Sequence, residues 1–329
     1  MRSTAEAAML AAEYDEYGPE RVVKTRSVPR PQPTEGESLV RVEASSVNPV
    51  DLIIRSGKLR LRTGRRFPKR LGIDFAGQIE EIRGQAGQLA VGDRVWGVMP
   101  LTVEKGVGQG SAATYVTIPT DRLARSPRNL DPTESAAMSS VGAVALITLR
   151  DKAQLQPGER LLVRGAAGGV GTMAVQAGAL LGAHVTALAS ADGLTFLCEL
   201  GAEETHDYRT VTPADLAPFD VILDLVGTDL RHWRKLLTRP GRMYCLSIAG
   251  VSTLAYIAVS KVFRSRRVRF FSAAPTGRTM ADLTTYAENG EIGPVVHSTY
   301  QLTDIVAAQE SLEAGGGRGK RVLVHQEQT

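Results

Sequence analysis

The chain has 329 residues, room for about two domains, and its 39 basic and 35 acidic side chains leave a formal charge of +4. Apolar residues make up 43% and charged ones 22%, which excludes a disordered chain and fits a globular protein with a sizeable core. Two cysteines exclude a disulfide framework and fit a reducing compartment, read as cytoplasmic.

In chain order, residues 1–131 read as β-rich. Glu6 and Glu13 interrupt the Ala-rich start, so no secretory signal is expected. Ser38 to Ala44, Phe75 to Ile82 and Arg94 to Val98 read as strands between glycine- and proline-rich turns. Residues 132–270 alternate strand-like and helical runs. Arg160 to Arg164, Ala183 to Ala189, Asp220 to Val226 and Arg242 to Ser247 are the strands. Thr172 to Leu181, Leu194 to Leu200 and Leu230 to Thr238 are the helices. Such alternation predicts a parallel sheet covered on both faces. The apolar stretch from Met243 to Phe263 is diluted by serines, Lys261 and glycines, and reads as a core strand followed by a buried helix rather than a membrane span. Residues 271–329 hold helices near Ala281 to Asn289 and Thr303 to Ala314 and a last strand, Arg321 to His325.

The most informative run is Gly165-Ala166-Ala167-Gly168-Gly169-Val170-Gly171, which follows a strand and opens a helix. A dinucleotide pyrophosphate needs this arrangement. Small residues let the backbone approach the phosphates, and the free N–H groups of a helix start hold the negative charge. Ala166 stands where G-x-G-x-x-G has its first glycine. An ordinary tight turn is the plain alternative, but strand, turn, helix and second strand all fall in register, so a nicotinamide dinucleotide is expected. Val226 and Ser247, at the ends of the later strands, are expected to line the same ligand.

The second strand ends at Ala189-Ser190, where an NAD site expects an acidic residue for the ribose hydroxyl. Ser190 leaves room for a 2′-phosphate, with Tyr208 and Arg209 as its expected partners. Asp192 argues for NADH instead. NADPH is the expected cofactor, with NADH the alternative.

At this point the chain resembles the zinc-independent medium-chain dehydrogenases/reductases of the quinone oxidoreductase branch. The carriers are Ser46-Val47-Asn48-Pro49-Val50-Asp51, Leu71-Gly72-Ile73-Asp74-Phe75-Ala76-Gly77, Val91-Gly92-Asp93-Arg94-Val95-Trp96-Gly97, Gly165 to Gly171, Phe219 to Asp224 and Arg318-Gly319-Lys320-Arg321-Val322. The resemblance implies an α/β fold, a Rossmann doubly wound parallel sheet with a GroES-like β-rich domain. It also implies a C-terminal segment, 271–329, that returns to the first domain.

Zinc alcohol dehydrogenases of this fold carry Cys where Asn48 stands and His-Glu where Ile73-Asp74 stands, so the resemblance implies chemistry without zinc. Hydride addition to a quinone or an α,β-unsaturated carbonyl needs no Lewis acid, only positioning, a hydrogen-bond donor and exclusion of water. The resemblance puts Asn48 beside the nicotinamide, with its amide as donor; an Asx turn before Pro49 is the structural alternative. Relatives carry a tyrosine where Ile53 stands and a threonine where Val144 stands. With those hydroxyls missing, water is the expected proton source. A cofactor-binding sensor or partner protein with little catalysis is the second reading.

The basic residues cluster at Arg55 to Arg70 and Lys261 to Arg269. No nucleic-acid motif accompanies them, so solvated or anion-facing rims are expected and nucleic acid is not. A homodimer is left open.

Overall fold

The computed structural model describes residues 8–100, 110–247, 250–262 and 268–325. In the first part, β1 (Ala8–Tyr14), β2 (Lys24–Pro29) and β3 (Glu37–Val47) precede two short helices, α1 (Pro49–Arg55) and α2 (Arg60–Thr63). Five strands follow: β4 (Lys69–Arg70), β5 (Asp74–Ile82), β6 (Arg94–Val98), β7 (Tyr115–Pro119) and β8 (Ala124–Arg125). β1 joins β2 and β4 in a small antiparallel sheet. The others build a larger one around β3, which pairs with both β5 and β7. Val40, Val42, Phe75, Ile79, Val95 and Ile118 fill its interior, as alternating strands that bury one face require.

The long helix α3 (Pro132–Leu146) leads into the second part. Its start is set by Asp131 and Glu134, each accepting the other's backbone N–H, with Pro132 at the first helical position. It is buried on nearly every side, as a helix apolar all round must be. The second part then runs through β9 (Arg160–Arg164), α4 (Gly169–Leu180), β10 (His184–Ala189), α5 (Leu194–Glu199), β11 (Glu204–Asp207), β12 (Phe219–Asp224), α6 (Leu230–Trp233), β13 (Leu237–Cys245), α7 (Val251–Ser260) and β14 (Val268–Arg269). The six strands are all parallel, in the order β11-β10-β9-β12-β13-β14. This is the doubly wound Rossmann arrangement, whose order reverses between β9 and β12.

The last part, α8 (Gly277–Glu288), β15 (Val296–Gln301), α9 (Ile305–Glu313) and β16 (Lys320–Val324), turns back to the first. β16 lies antiparallel to the end of β3, with Arg321 opposite Val47 and Val324 opposite Ala44, and β15 extends the same sheet. A doubly wound parallel sheet with a GroES-like β-rich domain is thus the observed architecture. Among the described residues no helix is long and apolar enough to cross a membrane.

Two sequence expectations need correction. The helix expected over Leu230 to Thr238 stops at Trp233, continues as one tight turn, and gives way to β13, because Leu237 inserts beside Phe219 in the sheet core. The helix expected to be buried after Met243 is α7, and among its described side chains only Thr253, Ile257 and Ser260 are buried. Residues 263–267 of the second basic cluster lie outside the described residues. In the first cluster, buried Arg55 donates to Gly18 O, Gln309 and Glu313, Lys69 to Thr63 O, and Arg70 to Glu13, so these cations hold the fold together.

Candidate active site

The glycine turn leaves β9 at the switch point of the sheet and enters α4. Gly165 has a φ of +78°, which a residue with a side chain adopts only with strain. A Cβ on Gly171 would stand on the carbonyl oxygens of Gly165 and Ala166, so that glycine is required by the turn's own packing. Gly168 differs. A Cβ there would meet only Gly165 O, at an ordinary 3.5 Å. Among the described residues nothing inside the chain demands a glycine at 168. Val226 packs against Gly165, its Cγ2 3.4 Å from where a Cβ would be, and Ser247 follows the end of β13. The turn, Val226 and Ser247 therefore share the carboxyl edge of the sheet.

Beneath the turn, the buried Arg164 guanidinium donates to Asp224 and to Thr228 O, and stacks on Trp233 at 4.4 Å. Asp224 also accepts from the backbone N–H groups of Val226 and Gly227. This pair shapes the loop after β12 that faces the glycine turn.

The C-terminal segment reaches the turn from the other side. Gly319 N donates to Ala167 O at 2.9 Å, and Gly168 and Gly319 form a single parallel bridge. Next to it the stem of Lys320 covers Gly169, where a Cβ would stand 2.7 Å from Cδ. The Lys320 ammonium then donates to Val47 O at 3.0 Å and to Asn48 Oδ1 at 2.6 Å, and sits 3.6 Å from Asp74 Oδ2.

Asn48 precedes α1, and its own N–H donates to the Asp51 carboxylate at 2.8 Å. Its side-chain amide donates to Ser46 O at 3.2 Å and to Asp74 Oδ2 at 3.1 Å. Ser140 Oγ donates to the same Asp74 oxygen and lies 3.4 Å from Asn48 Oδ1. Ser46 supplies two further donors to Asp74 Oδ1. The expectation of a free amide aimed at a substrate is therefore corrected. Both N–H groups of Asn48 are taken up inside the chain, one by the fully buried Asp74 carboxylate, which needs donors, and one by the Ser46 carbonyl.

Burial raises the Asp51 carboxyl to about 7, opposed by N–H donation from Asn48 and Gly72 and reinforced by nearby Asp74. Burial lowers the Lys320 ammonium, against the pull of Asp74 and Asp51. The buried centre thus holds two carboxyls and one ammonium where the larger sheet of the β-rich domain meets the glycine turn.

At the other end of the turn, Ser190 follows β10. Tyr208 N donates to Ala189 O, and the Arg209 guanidinium lies 5.3 Å from the Tyr208 ring. Arg318 donates to Asp192 O and lies 5.1 Å over Phe196. The Asp192 carboxyl is held below its usual range, first by the Ser190 hydroxyl and then by Arg318 and Arg209. Arg318 thus reaches the loop after Ser190 through the Asp192 carbonyl. Arg318, Lys320, Asp74 and Ser140 were missed as site residues in the sequence, although Arg318-Gly319-Lys320 and Asp74 stood in motifs already noted.

A parallel sheet of this order, a glycine turn at its switch point and a β-rich domain closing over that turn define a nicotinamide-dependent oxidoreductase of the two-domain type. Comparison with known proteins agrees. Residues 34–128 match the alcohol dehydrogenase GroES-like domain, and residues 200–323 match the zinc-binding dehydrogenase family. NAD(P)H oxidoreductase RTN4IP1, mitochondrial, from Bos taurus is 30% identical, over 94% of this chain and 87% of that protein. The chloroplast envelope quinone oxidoreductase homolog of Arabidopsis thaliana is 27% identical, over 96% and 98%. The solved quinone oxidoreductase from Coxiella burnetii superposes with a TM-score of 0.88 at 27% identity, covering 97% of this chain and all of that one. The chain belongs to the medium-chain dehydrogenase/reductase family, as a quinone oxidoreductase-like NAD(P)H oxidoreductase.

Proposed function

We propose that this protein reduces quinones or α,β-unsaturated carbonyls with NADPH, without zinc. The observation that carries the reading is the meeting of Gly168 with Gly319. It brings the glycine turn up to the C-terminal segment that continues into β16 of the β-rich domain's sheet. The helix start after Gly168 would hold the pyrophosphate through its free N–H groups. Ser190, Arg209 and Arg318 would hold a 2′-phosphate in place of the Asp192 carboxylate, as paired guanidinium groups suit a phosphate. When bound, the reduced cofactor supplies the hydride.

The donor set does not fit zinc. Asn48, Ile73 and Asp74 occupy the positions that zinc relatives give to metal ligands and their neighbour. An ammonium, Lys320, already stands 2.6 Å from Asn48 Oδ1 and 3.6 Å from Asp74 Oδ2. A dication there would be repelled, and among the described residues no thiolate or imidazole joins Asn48 and Asp74 to ligate it. An acceptor already conjugated to its carbonyl suits such a site, because its oxygen takes the charge by delocalisation. Water protonates it, since the Asn48 amide and the Lys320 ammonium are both engaged.

That closure favours a second reading, a cofactor-binding protein with little turnover. Steady-state turnover of a panel of quinones and enals, with NADPH and with NADH, before and after dialysis against a chelator, decides between them. Chelator-resistant turnover, faster with NADPH, is the expected result. Tight NADPH binding with no turnover across the panel selects the second reading, and chelator-sensitive turnover overturns both on zinc.

A further inference from the structure

The loop between β12 and α6, residues 225–229, is held from three elements. From β9, the Arg164 guanidinium donates to Asp224 Oδ2 and, at 2.9 Å, to Thr228 O. From the end of β12, Asp224 Oδ1 accepts the N–H groups of Val226 at 3.0 Å and Gly227 at 2.6 Å. From α7, Thr253 Oγ1 donates to Gly227 O at 2.8 Å. Gly227 and Asp229 have φ of +81° and +57°. Two left-handed residues so close together are not a conformation that a free loop keeps, so these bonds fix it. Arg164, Asp224, Thr253 and the Trp233 ring stacked on the guanidinium are all buried. Val226 is the exception, at 40% exposed, and it stands against Gly165 of the glycine turn.

The order of the sheet says which part of a dinucleotide this loop meets. β10, which leads to Ser190, and β12 flank β9 on opposite sides. With the pyrophosphate at the turn after β9 and the adenine end beside Ser190, the nicotinamide half falls on the β12 side. The loop thus offers that half one apolar side chain, Val226, on a backbone of fixed shape. A buried ion pair is a poor source of stability, since apolar residues of similar volume serve as well. Its use here, with each carboxylate oxygen bonded, reads as a device for holding geometry.

We infer that the Arg164–Asp224 pair, seconded by Thr253, positions the nicotinamide half of the cofactor through the 225–229 loop. All three are positioning residues, because they are buried and act on the ligand through Val226. The inference rests on the dinucleotide reading proposed above and adds what fixes one end of that ligand.

Calorimetric titration of the full chain with two ligands tests it. NADPH has both halves, whereas adenosine 2′,5′-bisphosphate has the adenine half and no nicotinamide. Asp224→Asn keeps an oxygen for Val226 and Gly227 but removes the charge that holds Arg164. It should weaken NADPH binding at least about tenfold. Thr253→Val removes one hydrogen bond at nearly constant volume and should weaken it about three- to tenfold. Both variants should bind adenosine 2′,5′-bisphosphate within about twofold of the parent. Thr253→Ser keeps the hydroxyl and should bind NADPH as the parent does. Thermal melting checks folding, and Thr253→Val with Thr253→Ser carries the test alone should Asp224→Asn unfold. Equal losses for the two ligands, or no loss for either, overturns the inference and leaves the dinucleotide reading standing. So does a loss in Thr253→Ser as large as in Thr253→Val. A parent that binds neither ligand overturns the dinucleotide reading, and the inference with it.

Discussion

The Lys320 ammonium donates to Asn48 Oδ1 at 2.6 Å, although 272 residues separate them. Through this contact the last strand, the start of α1 and the buried Asp74 carboxylate form one polar centre. Its groups are individually costly to bury, and each is held because the others satisfy it.

Asn48→Ala should therefore cost stability more than chemistry. It removes one donor from Asp74, one from Ser46 O and one acceptor from Lys320, for about 1–2 kcal/mol. Lys320→Met keeps the stem over Gly169 but leaves Asp74 without its cation, and should cost about 3 kcal/mol or more. Urea unfolding measures both. A hundredfold loss of kcat in Asn48→Ala with unaltered stability would restore the amide as a direct donor.

The glycine turn separates two kinds of glycine. Gly171→Ala forces a Cβ onto two carbonyl oxygens and should lower the melting temperature clearly. Gly168→Val should melt like the parent and lose cofactor binding, read by quenching of protein fluorescence. If Gly168→Val bound NADPH normally, the pyrophosphate would have to lie elsewhere.

Cofactor choice should depend on two arginines. Replacing Arg209 or Arg318 by Ala should weaken NADPH binding at least about tenfold, the scale of a lost charge-assisted hydrogen bond. NADH binding should be unchanged, since it has no 2′-phosphate. Calorimetric titration of both cofactors checks this, and equal losses for the two would assign the arginines to a shared part of the ligand.

Two buried groups pull the pH dependence of stability in opposite directions. Burial lowers His325 from 6.5 to about 3, so on acidification the unfolded chain takes up a proton that the folded one refuses, and stability falls. Burial raises Asp51 from 3.8 to about 7, so between those values the folded chain keeps a proton that the unfolded one has lost, and stability falls as pH rises. Each slope approaches about 1.4 kcal/mol per pH unit at full effect. From about pH 4 to 6.5 they oppose each other. His325→Gln, which keeps an amide to face Ser45, should expose the Asp51 slope as stability that declines towards pH 7. A flat urea-unfolding profile for that variant would show that Asp51 titrates normally.

Legibility in the sequence followed the range of the interactions. The Rossmann strands and the glycine turn were readable because strand, turn and helix are contiguous and each has its own residue pattern. The role of Asn48 was not, because its partners Asp74, Ser140 and Lys320 lie on three distant elements. The two arginines were half visible. Arg209 lies near Ser190 in the chain, whereas Arg318 arrives from 128 residues beyond it through the fold alone. Helix α7 was misread because both its faces are apolar, and periodicity cannot say which one the sheet covers.

The placement of β16 has a consequence for synthesis. The end of β3, Ala44 to Val47, pairs on one side with residues 321–324. At about 5–20 residues per second, the ribosome needs on the order of half a minute to supply them. During that interval the β3 edge stands open beside an otherwise complete hydrophobic sheet, a template for strands of other chains. The β-rich half is thus exposed to mispairing for longer than the Rossmann half, whose neighbouring strands emerge closer together.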